Sequence, residues 1–143
     1  MPPAPCTKMG DDMIASFARA DLRRIARGAG LACLPVLVWL SWIPKAWETR
    51  TGAAGQSEHL VAYAGTAVLL GLGYSRVPAW RLGLSLILLA AVLEFGQLQV
   101  PGRTAQVVDF AASAGGALIG LGAARALGLA ARALAGRRIA AGA

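Results

Sequence analysis

Residues 107–124 read VVDFAASAGGALIGLGAA, and this stretch decides the fold. Apart from Asp109 in its first turn it carries no charge, and its length is near the lower limit for crossing a hydrocarbon core of roughly 30 Å at 1.5 Å per residue. Ala112, Gly116 and Gly120 recur every four residues, so one face of a helix here is smooth enough for another backbone to come close. Gly115 and Gly122 add to the small-residue content. These glycines sit inside an apolar helix, which excludes a phosphate-binding loop. They suit packing within the chain, with homodimerisation as the alternative.

Three further windows have the same character. They are residues 28–44 (GAGLACLPVLVWLSWIP), 59–75 (HLVAYAGTAVLLGLGYS) and 82–98, the last interrupted only by Glu94. Pro101-Gly102 supplies a turn between the third and fourth helices and Val77-Pro78 separates the second from the third. In the second window Gly65, Gly71 and Gly73 offer further packing surfaces. The composition agrees: 57% of the 143 residues are AVILMFWYC, and the 18 glycines bring the total to about 70%, against about 45–50% in soluble domains. A soluble monomer is excluded. The expected fold is all-α, an integral membrane bundle of four transmembrane helices.

The formal charge of +7 would suggest nucleic acid for a soluble chain, but the apolar windows make the bilayer the better partner, so no nucleic acid is expected. Residues 1–12 (MPPAPCTKMGDD) read as a disordered tail. From Met13 to Arg27, Ile14, Phe17, Ala18, Leu22 and Ile25 recur at helical spacing, with Arg19, Arg23, Arg24 and Arg27 around the other face. This predicts a basic amphipathic helix on an anionic membrane surface, its N-terminus favoured by Asp11 and Asp12; a solvated juxtamembrane stretch is the plainer alternative. The window at 28–44 is expected to kink at Pro35. A secretory signal peptide competes for it, but no small-x-small cleavage site follows, and Trp39, Trp42 and Trp47 resemble an interfacial belt. Cys33 reads as core and Cys6 as incidental. The basic tail, residues 125–143, continues the fourth helix before fraying.

Lysine and arginine fix the orientation. With the N-terminus inside, Lys8, Arg19, Arg23, Arg24, Arg27, Arg76, Arg81, Arg125, Arg132, Arg137 and Arg138 fall on the inner side, and Lys45, Arg50 and Arg103 on the outer. That bias predicts both termini in the cytoplasm, with Trp80 at the inner interface.

The rare polar residues then gather at the outer side. Glu58 and His59 open the second helix, Glu94 and Gln97 end the third, Arg103 follows the turn, and Asp109 opens the fourth. His59 and Tyr63, Glu94 and Gln97, and Asp109 and Ser113 each share a helix face. Arg103 is expected to pair with Glu94, Asp109 or both. The set reads as a structural clamp, as a pocket for a polar head group, or as an acid–base or metal site. No HExxH, paired-histidine or nucleophile-elbow motif is present, and His59 is the only histidine. No metal or cofactor is therefore expected, and enzymatic activity is the less favoured reading.

The order His59-x-x-x-Tyr63, Glu94-x-x-Gln97, Pro101-Gly102-Arg103, and Asp109 leading into Gly116-Ala-Leu-Ile-Gly120 resembles the VanZ-like family of small polytopic bacterial membrane proteins. That family is named for a protein associated with teicoplanin resistance. The resemblance covers roughly residues 57–122. It departs at Gln56, where the family often carries a lysine, and at Ser113, where it carries an asparagine. It implies a bacterial inner-membrane location and supplies no reaction. The expected function is binding of a lipid head group, glycan-lipid or envelope-active compound, with effects on envelope properties or antibiotic susceptibility. The alternatives are an intramembrane enzyme acting on a lipid-linked substrate and a structural partner in an envelope complex. Membrane lipids are the expected partners.

Overall fold

The computed structural model describes residues 6–44 and 55–141, with side chains for residues 17–44 apart from Arg19 and for residues 55–137. Four helices follow one another: α1 (Cys6–Trp42), α2 (Gly55–Gly73), α3 (Ala79–Gln97) and α4 (Val107–Ala141). No strand occurs among the described residues. The close approaches fix the topology. Gly30 faces Leu70 and Arg27 faces Gly73, so α1 and α2 are antiparallel. Leu60 faces Gly116 and Ala64 faces Gly120, so α2 and α4 are parallel. Trp42 meets Gly96, and Gly83 meets Leu118 and Leu121, which places α3 alongside α1 and antiparallel to α4.

The helices differ from the expected windows mainly at their ends. The amphipathic segment at 13–27 and the window at 28–44 form one unbroken helix that passes through Pro35. Residues 6–12, expected to be disordered, are its first turns, so Asp11 and Asp12 lie within the helix and not ahead of it. The propensity of an isolated tail does not capture this, because a helix already nucleated extends at low cost. Helix α4 runs on through the basic segment to Ala141, the direction in which the sequence extends it. The structure of residues 1–5, Lys45, Trp47 and Arg50, and the side chains of Cys6, Lys8, Ile14, Arg19 and Arg138, lie outside the described residues.

Among the described residues three helices are long and apolar enough to cross a membrane: Ala20–Trp42, Ala79–Gln97 and Val107–Arg137. Helix α2 differs in that Gln56, Glu58 and His59 occupy its beginning. Its apolar part from Leu60 onward would cover only about 21 Å of a core roughly 30 Å thick. It is also the element packed against both α1 and α4, so its polar end is met by neighbouring helices.

Burial follows the pattern of a chain solvated by lipid. The core is made of Leu37, Tyr63, Ala67, Leu70, Leu86, Ala90, Leu93, Ala117 and Leu121. Large apolar side chains such as Val92, Phe95, Leu118 and Ile119 point outward, while Ser41, Thr66, Glu94, Gln97, Asp109 and Ser113 are buried. In water so much apolar surface would drive aggregation. In a bilayer polar groups turn inward to find partners, and Thr66 does so by donating to the Ala62 carbonyl at 2.8 Å. Cys33 is half-buried and stands outside the core cluster.

The small-residue stripe is used inside the chain. A Cβ on Gly116 would strike the Leu60 carbonyl oxygen, and one on Gly120 the Ala64 carbonyl oxygen. Gly71 is closed by Ala124, and Gly73 by the backbone of Arg27. Ala112 is half-buried. Gly65, Gly115 and Gly122 face open space, so the packing role expected of them is not seen within the chain.

Candidate functional site

The antiparallel order brings the end of α1, the start of α2, the end of α3 and the start of α4 to one end of the bundle. Every polar residue singled out from the sequence lies there. Tyr63, Gln97 and Ser113 are buried, and Glu94 and Asp109 are each only 9% exposed. His59 and Arg103 are half-buried.

The glycine contacts between α2 and α4 set the register that joins two of these residues. Leu60 lies on Gly116, so His59 comes opposite Ser113, and the Ser113 hydroxyl is 3.4 Å from His59 Nδ1. Tyr63 lies one turn deeper, within electrostatic range of Glu94.

Glu94 acts across the α3–α4 connection. Its Oε1 accepts from the Gln106 backbone N–H at 2.6 Å. The Gln106 carbonyl in turn accepts from the N–H groups of Asp109 and Phe110 at 3.0 and 3.2 Å, which makes Gln106 the capping residue of α4. Glu94 thus ties the end of α3 to the first turn of α4, where a negative charge also suits the helix dipole. Substituting Glu94→Leu should cost about 1–3 kcal/mol by leaving a part-buried donor without its acceptor, whereas Glu94→Gln keeps an oxygen in place and should cost far less. Thermal unfolding of the two variants in one detergent reads the difference; equal losses would remove the capping role.

Arg103 does not pair as expected. Among the described residues no ion pair joins it to Glu94 or Asp109; the ion pair there is Arg24–Asp21, at 3.8 Å on the surface. Its guanidinium instead donates from Nε to the Ile43 carbonyl at 3.2 Å and from a terminal nitrogen to the Leu40 carbonyl at 3.1 Å. The last carbonyls of a helix have no partner of their own and carry its negative dipole end. A cation arriving there competes well with a carboxylate. The Pro101-Gly102 turn aims it. Arg103 N–H donates to the Val100 carbonyl at 3.1 Å and Gly102 has φ 77°, as the third residue of a type II turn requires.

Asp109 is left in an unusual state. Its Oδ1 is buried with no hydrogen-bond partner among the described residues. Among the described residues no three His, Cys, Asp or Glu side chains converge closely enough to hold a metal ion, so His59, Glu94 and Asp109 do not form a ligand set.

The sequence pattern places Trp42 in an aromatic belt and does not reveal its contact with α3. Its indole N–H donates to the Leu93 carbonyl at 3.3 Å and its ring covers Gly96, where a Cβ would come within 2.7 Å of the indole nitrogen. It therefore locks α1 to α3 beside Glu94. The signal was Gly96 itself, a glycine between Glu94 and Gln97 with no turn to explain it. Ser41, buried one residue earlier, is a second addition. Comparison with protein-family models, curated proteins and solved structures returned no match.

Proposed function

We propose that this chain is a VanZ-like integral membrane protein with four spans and both termini in the cytoplasm. The cluster of His59, Tyr63, Glu94, Gln97, Asp109 and Ser113 then faces the outer leaflet and binds the head group of a lipid, glycan-lipid or envelope-active compound. The observation that carries this reading is Asp109 Oδ1, a buried acceptor with no donor among the described residues. Such an atom costs free energy to keep. A hydroxyl or ammonium group of a bound head group would satisfy it, with Ser113 and His59 beside it to share the contact. Arg103 belongs to the frame of this site, since its donors are directed at α1.

Two measurements test the reading. Reporter fusions at Ala54, Arg76 and Gly102 should report outside, inside and outside; disagreement between Ala54 and Gly102 would break the shared face. Mass spectrometry of molecules carried through purification should find a species on the wild-type protein that Asp109→Asn loses at equal protein recovery. Identical profiles would remove the binding role.

A further inference from the structure

The opposite end of the bundle holds a second polar feature that the outer cluster does not explain. A cleft of about 250 Å³ opens between α1 and the turn after α2, lined by Arg23, Arg24 and Arg27 on one side and Tyr74, Ser75 and Arg76 on the other. Its floor is fixed. Arg27 donates to the Gly73 carbonyl at 3.2 Å and lies over the Tyr74 ring at 4.6 Å from the centroid. Gly73 admits the Arg27 backbone so closely that a Cβ there would sit 2.7 Å from it. One terminal nitrogen of Arg27 is engaged, and a guanidinium has five N–H donors. Arg23, Arg24 and Arg76 are exposed around this anchor.

Four arginines thus line one opening, and the nearby acid, Asp21, reaches Arg24 only at 3.8 Å between two exposed side chains. Exposed pairs of that kind contribute little, so the opening stays strongly cationic. Its level on the molecule identifies the anion. The cleft lies where α2 ends and α3 begins, and Trp80 stands exposed beside that start with Arg81 stacked on it at 5.3 Å, as an interfacial anchor does. Leu31, one turn from Arg27 on the same face, is 46% exposed and lies within the apolar span Ala20–Trp42. A phosphate seated among the arginines would leave its acyl chains running along that surface. We infer that this cleft is a binding site for the phosphodiester head group of an anionic phospholipid, held by Arg27 and gripped by Arg23 and Arg76.

The full chain purified in neutral detergent and titrated with dioleoylphosphatidylglycerol should show saturable binding by native mass spectrometry and a raised unfolding temperature. Dioleoylphosphatidylcholine and millimolar inorganic phosphate should produce neither. The double variant Arg23→Gln/Arg76→Gln removes two exposed donors without touching the Arg27–Gly73 contact, and should weaken phosphatidylglycerol binding by about ten-fold or more. Arg125→Gln/Arg132→Gln removes equal charge from α4 and should change it little. Equal losses in the two double variants would reduce the effect to general basicity and overturn the site. So would phosphatidylcholine binding as tightly, while binding of free phosphate alone would overturn the lipid as its source.

Discussion

Replacing Gly120 with valine is expected to break the α2–α4 contact and prevent the folded protein from accumulating, while Gly115→Ala and Gly122→Ala leave it unchanged. At Gly120 an added Cβ meets the Ala64 carbonyl oxygen and comes within 2.8 Å of Ala67 Cβ. The obstacle is backbone, which cannot rotate away as a flexible side chain can. Overpacking a core costs typically 1–3 kcal/mol and occasionally more; here the helices must separate, so the loss belongs at or above the top of that range. Gly116→Ala adds a single methyl group against Leu60 and should fail in the same manner. Gly115 and Gly122 lie on the same helix with nothing within 4 Å of an added Cβ, so they control for helix propensity. Abundance in membranes and unfolding temperature in one detergent read the series. If Gly120→Val behaves like Gly122→Ala, this register between α2 and α4 is wrong. The same series bears on homodimerisation, because Gly116 and Gly120 are occupied by α2 and not free for a second copy.

What the sequence made legible follows from which forces are local. Apolar windows and the four-residue spacing of Ala112, Gly116 and Gly120 are local, and they located the helices and the close packing surface. Helix ends are less local: α1 begins at Cys6, inside a segment that reads as a disordered tail, since continuing a helix satisfies the backbone in place. The convergence of His59, Glu94, Gln97, Asp109 and Ser113 was legible because an up-and-down order places alternate helix ends together. Their partners were not. Charge complementarity assigned Arg103 to the carboxylates, but the end of α1 supplies carbonyls that no reading of side chains reveals. Trp42 reads as a member of an aromatic belt and not as the cover on Gly96, which depends on α1 and α3 lying side by side.

Substituting Asp109→Asn is expected to leave stability unchanged or raise it while removing the molecule that the proposed head-group site would carry. Two effects oppose each other at this residue. As an acid in the first turn of α4, Asp109 gains about 0.3–1 kcal/mol from the helix dipole. As an ionisable group 9% exposed with an unpartnered buried oxygen, it is penalised by about 2.5–3.5 kcal/mol at the bilayer centre and by less near the interface. The penalty is the larger of the two over most of that range. Asparagine has nearly the same shape and lacks the charge, so the substitution removes more cost than benefit. A residue kept only for structure should not become dispensable in this way, whereas strained polar groups at binding sites commonly trade stability for function. The measurement is therefore a pair: unfolding temperature in detergent, and the profile of co-purifying molecules at matched recovery. A fall in unfolding temperature with an unchanged profile would make Asp109 a structural acid and return the polar cluster to the clamp reading.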